Sequence, residues 1–378
     1  MGTQSPPQSA RPPRRANPQI TRTVATLLAW FAKEARDLPW RRTRDPYAIW
    51  VSEIMLQQTQ VKTVIPYWER WLRELPTLQA LVDASPAKIH KLWEGLGYYT
   101  RVRNLQKAAQ QICATQHGTF PQSFAAILAL PGIGRYTAGA IASIAFDQPA
   151  PILDGNVIRV LTRLHGIADD PREKATNARL WSLAGELVER ASQMRNHASP
   201  CSHLNQALME LGALICTPRS PNCPACPLQD ACFAWRAGRV AEFPRVKTRA
   251  AVTDRRFLAF IVERDGRFLV QQRSDGVVNA HLWEFPNVEV AADCPPARAA
   301  RTWLGGKPRA VQKLLVVRHA ITRYRVTTEA YRVEPAAGTS RASAGGQWHL
   351  PAQLHDLPFT AAHRRILLAL TRPGSGRD

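Results

Sequence analysis

The sequence predicts a multidomain chain, an all-helical domain followed by an α+β domain, and three observations carry that prediction. From about residue 20 to 232 the apolar residues recur at helical spacing, as in Val24, Leu27, Leu28 and Phe31, and strand alternation is nearly absent. Beyond a polar, basic stretch at 233–253 the period changes to two. Phe257 to Glu263, Arg267 to Gln272 and Arg323 to Val333 alternate and are rich in β-branched and aromatic residues. The third observation is length: 378 residues exceed one domain at the ~150 residues usual for each.

Each segment has its reason. Residues 1–19 are rich in Pro, Ser and Arg with almost nothing to bury, so a disordered basic tail is expected. Breaks at Leu38-Pro39, Asp45-Pro46, Ser85-Pro86 and Pro131-Gly132 divide 20–232 into successive helices. The stretch 233–253 reads as a linker. Residues 254–370 form the second domain, with helical segments at 296–304 and 360–371, and 371–378 is a short tail.

Charge narrows the function. Fifty Lys+Arg against 29 Asp+Glu give a formal +21, which favours a polyanionic partner, nucleic acid before membrane. No apolar run approaches the ~18 residues of a spanning helix, and the first 30 residues lack the order of a signal peptide. A soluble, cytoplasmic monomer is expected. Of seven cysteines, Cys113, Cys201 and Cys294 are scattered, while Cys216, Cys223, Cys226 and Cys232 form C-x6-C-x2-C-x5-C. That spacing suits one metal centre in a reduced compartment, an iron–sulfur cube or a structural zinc, since both take four thiolates.

Two further segments point to chemistry on DNA. Leu130-Pro131-Gly132-Ile133-Gly134-Arg135 lies between two apolar helical stretches. Its glycines permit positive φ and bare the amides of the next helix, as a helix–hairpin–helix grip on the phosphate backbone requires. An ordinary turn between two helices with a glycine cap would read the same way. In the run from Tyr47 to Thr59, Glu53 shares a helix face with Ile49, Trp50, Leu56 and Gln57. A carboxyl on such a face is desolvated and suited to donate a proton; at the edge of the stripe it would simply reach water. Asp154, directly before an apolar helical run, can be an N-cap, and the same helix-end amides keep it ionised beside a developing cation. One raised and one ionised carboxyl is the arrangement that glycosidic cleavage needs.

Together these segments resemble the MutY family of adenine DNA glycosylases, in the helix–hairpin–helix superfamily that also holds endonuclease III. The likeness runs from about residue 22 to 368. It rests on Leu38-Pro39-Trp40-Arg41, the Ser52–Gln60 run, Gly95-Leu96-Gly97-Tyr98-Tyr99, the Pro131–Gly134 hairpin, Leu153–Val157 and the four cysteines. The resemblance implies a [4Fe–4S] cluster on Cys216, Cys223, Cys226 and Cys232. It implies that Glu53 protonates a flipped adenine at N7 and that Asp154 stabilises the oxocarbenium ion or forms a transient adduct, supported by Tyr136 and Asn156. Gln58, Thr59, Leu96 and Tyr98 would contact DNA, with Gln58 and Tyr98 entering the base stack, and Gly132 and Gly134 would hold the backbone. Bifunctional relatives carry Lys at the position of Tyr136, which cannot form an imine, so a monofunctional enzyme is expected. The alternative for Tyr136 is a core aromatic that merely packs the hairpin.

The second domain resembles the Nudix-like domain of that family, which recognises 8-oxoguanine opposite the adenine. Leu282-Trp283-Glu284-Phe285-Pro286 matches, whereas only Glu289 and Asp293 lie between Phe285 and His319, too few acids for a working hydrolase. The family's recognition segment commonly reads H-x-F-S-H; here it is His319-Ala320-Ile321-Thr322-Arg323. His319, Thr322 and Arg323 are the expected lesion contacts. The implied partner is duplex DNA with adenine opposite 8-oxoguanine or guanine. Two alternatives use the same residues: a glycosylase for another mismatched base, such as thymine opposite guanine, or a non-catalytic iron–sulfur DNA-binding protein. A lesion domain argues against the first, and the presence of both Glu53 and Asp154 against the second.

Overall fold

The computed structural model describes residues 17–245, 252–321, 323–336 and 346–371. Helices α1 (Pro18–Glu34), α2 (Pro46–Leu56), α3 (Val61–Glu74), α4 (Leu78–Asp83), α5 (Pro86–Trp93) and α6 (Thr100–Gln116) open the chain. They are followed by α7 (Phe124–Leu128), α8 (Arg135–Phe146), α9 (Gly155–His165), α10 (Lys174–Ser192), α11 (Pro200–Leu214) and α12 (Phe233–Arg236). Then come β1 (Thr253–Ile261), β2 (Glu263–Arg264), β3 (Arg267–Gln272), β4 (Trp283–Glu284), β5 (Asn287–Val290) and α13 (Pro296–Leu304). The last elements are β6 (Ala310–Ile321), β7 (Tyr324–Glu334), β8 (Gln347–His349), α14 (Pro351–Leu354) and α15 (Ala361–Leu370). The all-helical then α+β order expected from periodicity is therefore present.

Packing divides this chain into two compact units. Among the described residues, one contains Asn17–Ile54 together with Phe120–Arg245; the other contains Met55–Thr119 and those from Val252 onward. Periodicity follows the change from helix to strand, whereas packing cuts the helical segment itself.

In the first unit, α1 is capped by the Asn17 side chain and buries Val24, Leu27, Leu28 and Phe31, the stripe its spacing predicts. Helix α11 is the central rod, packed by α1, α8, α9 and α10. Two glycines permit close approach: a Cβ on Gly139 would meet the Pro151 carbonyl oxygen at 2.1 Å, and one on Gly212 would meet Asn156 at 2.6 Å. Part of the expected linker is folded onto this unit. Helix α12 starts at Phe233, whose ring packs against Gly166, and Phe243 is buried, its carbonyl accepting from Arg163 Nε at 3.0 Å. Those aromatic side chains give 233–243 apolar surface that a solvated linker lacks. Residues 246–251 of that stretch, 1–16 of the amino-terminal tail and 372–378 of the carboxy-terminal tail lie outside the described residues.

In the second unit, α4 packs on α6, and a four-stranded sheet runs β5-β1-β7-β6. Strand β1 is parallel to β7 and antiparallel to β5, while β6 and β7 form an antiparallel pair with an irregularity between Lys313 and Leu315. Strand β3 pairs with β2, β4 and β8 in a smaller sheet. Both faces of β1 are covered. Ala259 and Ile261 enter one core with Phe285, Phe359 and Ile366, and Leu258, Phe260 and Val262 enter another with Ala300 and Leu304. Among the described residues, no helix is long and apolar enough to cross a membrane.

Candidate active site

Helix α2 presents the first candidate acid. The Asp45 carboxylate caps it by accepting from the Tyr47 and Ala48 amides at 3.1 and 3.3 Å. The helix is apolar all round and buried from Tyr47 to Met55, so Glu53 does not sit at the edge of an amphipathic stripe; it is 4% exposed. Burial pushes its carboxyl up to about 7; the Tyr136 hydrogen bond and the Arg41 charge oppose this, and the Asp154 charge adds to it. Tyr136 at the start of α8 places its hydroxyl 2.9 Å from Glu53 Oε2 and 3.2 Å from Met209 Sδ on α11. Burial, with the Glu53 and Asp154 charges, drives that phenol well above its ordinary range, so it remains a neutral hydroxyl.

Asp154 caps α9, its Oδ1 accepting from the Val157 amide at 2.8 Å. Its Oδ2 accepts from Asn156 Nδ2 at 2.9 Å, so both oxygens are used as acceptors. The N-cap reading is therefore correct, and the candidate catalytic carboxylate is that same capping residue. Asn156 is held in turn by Arg159, a buried residue the sequence did not single out. Arg159 Nη2 donates to Asn156 Oδ1 at 2.8 Å and to the Gly212 carbonyl at 2.7 Å, and its Nε donates to the Cys216 carbonyl at 2.6 Å. Arg41 is fixed from α11: it donates to Gln206 Oε1 at 3.0 Å and bidentately to buried Glu210, which also pairs with Arg36. These contacts join residues far apart in the chain, and no local pattern announces them.

The four clustered cysteines are free thiols lining one cavity with Arg163 and Trp235. Arg163 Nη1 donates to Cys216 Sγ at 3.3 Å. Burial, then the neighbouring thiols, push Cys226 up to about 11. Among the described residues, no three His, Cys, Asp or Glu side chains converge as ligands of a single metal ion.

The hairpin joins α7 to α8, with Ile133 buried and Gly132 and Gly134 exposed. Only Gly132 takes positive φ, at 74°; Gly134 caps α8 at φ −94°, so positive φ is required at one glycine and not at both. The first turn of α8 carries no acidic residue to repel a phosphate.

The second unit assembles the other candidates in two groups. Gln58 and Tyr98 both adopt left-handed backbone, at φ 59° and 49°, and Tyr98 is 44% exposed. Thr59 lies beside Gln58, its hydroxyl donating to the Gln57 carbonyl at 3.4 Å, and Leu96 is buried. Arg101 on α6 clamps their loops, donating to the carbonyls of Met55 and Gln57 on one side and of Leu96 and Gly97 on the other. Its guanidinium also lies over the Trp93 and Tyr98 rings. At the β6–β7 connection, His319 is half-buried and Arg323 is exposed with its guanidinium over Tyr324. Thr322 lies outside the described residues.

Similarity to known proteins covers both parts of the chain. A family model described as HhH-GPD superfamily base excision DNA repair protein matches residues 51–186, and a NUDIX domain model matches 258–369. The adenine DNA glycosylase of Mus musculus is 37% identical over 95% of this chain and 81% of its own length. The chain belongs to the adenine DNA glycosylase family. The Homo sapiens member is 33% identical over 92% of this chain and 74% of its own. A solved thermostable thymine-DNA glycosylase is 30% identical with a TM-score of 0.52, covering 58% of this chain and 98% of that one. Family membership makes this a base-excision enzyme that acts on DNA, with a helical glycosylase domain and a Nudix-like domain.

Proposed function

We propose that this chain excises adenine mispaired with 8-oxoguanine or guanine in duplex DNA, hydrolysing the N-glycosidic bond without efficient strand cleavage. One observation carries the reading: a buried Glu53, its carboxyl pushed up to about 7, bonded to Tyr136 and feeling the charge of Asp154, whose two oxygens are fixed by Asn156 and the α9 amide. A base in a duplex cannot be reached, so it is extruded first, and the Arg101-clamped loops carrying Gln58 and Tyr98 fill the stack behind it. Glu53 gives its proton to N7 of the extruded adenine, making the base a neutral leaving group. As the bond lengthens, positive charge grows on the sugar; Asp154, held as an acceptor at the helix end, stabilises it or bonds to it transiently. Water completes the hydrolysis. Tyr136 offers no amine, so no Schiff base forms, and borohydride is expected to trap little protein–DNA adduct.

Cys216, Cys223, Cys226 and Cys232 fit a [4Fe–4S] cluster. Four partly buried thiols lining one cavity need positive charge among them to ionise, which four thiolate-bound irons would supply. When bound, the cluster ties the loop into a fold whose Cys216 carbonyl holds Arg159. Protein purified without oxygen should be brown with about four irons per chain. Stoichiometric zinc without colour would overturn the assignment.

The thymine-DNA glycosylase match supports a second reading, thymine opposite guanine. That chain is matched almost completely by 58% of this one, so the rest here has no counterpart there. A separate Nudix-like domain is what reading a lesion across from the base requires, which favours adenine. Free-base release from duplexes carrying each mismatch decides. Adenine from pairs with 8-oxoguanine and guanine is expected; thymine release, or none, removes the proposal.

A further inference from the structure

The Tyr136 hydroxyl has one hydrogen and two acceptors within reach, Glu53 Oε2 at 2.9 Å and Met209 Sδ at 3.2 Å. Both cannot be served at once. When Glu53 is ionised, the hydrogen points to the carboxylate and the thioether is idle. When Glu53 is protonated on Oε2, the carboxyl donates to the phenol oxygen, and the phenol hydrogen has to turn elsewhere. The sulfur is placed to take it. This assignment rests on the proposed role of Glu53 as the acid.

We infer that Met209 is a positioning residue whose thioether accepts the Tyr136 hydrogen while Glu53 holds its proton, so that the resting enzyme keeps its acid loaded. The two arrangements differ by one proton, which Glu53 Oε2 takes up from water on going from the ionised to the protonated form; the phenol keeps its own O–H bond, which rotates from Oε2 to Sδ. Because the sulfur is used only in the protonated arrangement, it favours that arrangement over the ionised one. A polar acceptor such as carboxylate at that place would add a negative charge; a hydrocarbon would leave the O–H buried and unpaired. A polarizable thioether does neither.

Among the described residues, the groups acting on Glu53 are Tyr136 from α8, Asp154 from the start of α9 and Arg41 from the turn Pro39–Arg41, and Met209 on α11 contacts Tyr136. The Arg41 charge, which favours ionised Glu53, is matched by Glu210 one residue beyond Met209. Burial already places the Glu53 carboxyl near neutral pH, where one hydrogen bond alters how much acid is loaded.

The test is the titration of Glu53 in protein without DNA, followed by carbon-13 NMR of labelled glutamate and assigned by the resonance lost in Glu53→Gln. Met209→Leu, nearly volume-conserving and checked for folding by its melting temperature, is expected to shift the midpoint toward acid. It should also move the alkaline limb of the second-order excision rate with it, a loss of roughly fivefold above the midpoint if one ordinary hydrogen bond is involved. Met209→Gln, which retains an acceptor, should restore most of the midpoint. In a Tyr136→Phe background Met209→Leu should shift nothing, since the hydrogen is gone. An unchanged midpoint in Met209→Leu, or an equal shift with Tyr136 absent, overturns the inference. The titration needs no substrate, so a protein that titrates as expected but releases no adenine overturns the proposed reaction instead.

Discussion

Glu53 keeps its proton near neutral pH because the fold denies its charge a solvent, and that has a consequence for stability as well as rate. The folded value near 7 lies above the ordinary 4.5, so the folded state binds this proton more tightly than the unfolded state. Its contribution is complete below about pH 4 and is lost as pH rises through 7, by about 3 kcal/mol if the whole shift is expressed. Glu53→Gln has the same shape without a charge to bury. It should therefore abolish adenine release, leave mismatch binding, and raise the melting temperature more at pH 8.5 than at pH 5, roughly 1.5 units above and 2 units below the folded value. Single-turnover release within a few-fold of wild type would remove Glu53 as the acid, and equal melting shifts at the two pH values would contradict its burial as a proton-holding group. Wild-type excision should fall as pH rises through the same range. Glu53 and Asp154 were legible in sequence because apolar neighbours and a helix start are local signals. Met209 and Arg159 were not: their partners lie 73 and 57 positions away, brought together only when α8 and α9 dock on α11.

At the scale of elements, local pattern succeeds where one face decides the residue types. Strand β3 spans Arg267–Gln272 and α13 spans Pro296–Leu304, the bounds the periodicity predicts. Strand β6 was missed, although its 12 residues make it the longest described strand. Its Gln312, Lys313 and Arg318 interrupt the apolar alternation, and the irregularity at Lys313 and Leu315 shifts the register midway. Arg101 was also illegible, since an arginine in a helical run reads as a solvated charge. Here it is the shared fastener of two loops, and burial lowers its guanidinium to about 10, a measure of how much water its carbonyl partners replace. Arg101→Lys keeps the charge but cannot reach both loops with a planar fork. Losing the net worth of one charge-assisted bond, roughly 1.5 kcal/mol, weakens mismatch binding about tenfold. Amide exchange should accelerate at 57–59 and 96–98 and not along α11. Unchanged affinity would mean that these loops do not face DNA, or hold their shape without Arg101.

For the whole molecule, sequence composition locates where helix gives way to strand but not which helices the strands stabilise. In the second unit the α5 region is bonded to the segment before α15. Lys91 Nζ donates to the Leu357 carbonyl at 3.3 Å, and the Phe359 amide donates to Glu94 Oε1 at 2.9 Å. Glu94 also pairs with Lys91 and, at 3.7 Å, with Arg364 of α15, and it is mostly buried. Arg103 on α6 reaches the Ala280 carbonyl at 3.2 Å. Removing residues after 245 would strip partners from Glu94, Lys91 and Arg103 together, while the described contacts of Glu53, Tyr136, Asp154 and Asn156 lie within the first unit. Such a truncation is therefore expected to lose lesion preference and to loosen α3–α6 as well, so it cannot by itself separate lesion reading from loop stability. Glu94→Gln separates them. It retains an acceptor for the Phe359 amide but removes the charge that Lys91 and Arg364 share; both cations are partly exposed, so the cost is expected between that of a surface pair and that of a buried one, about 1–3 kcal/mol. Amide exchange should rise in α5 and α15 alike, with the Glu53 titration unchanged. If exchange rises in α5 alone, the helices do not depend on the strands, and the two act as independently stable parts of the chain.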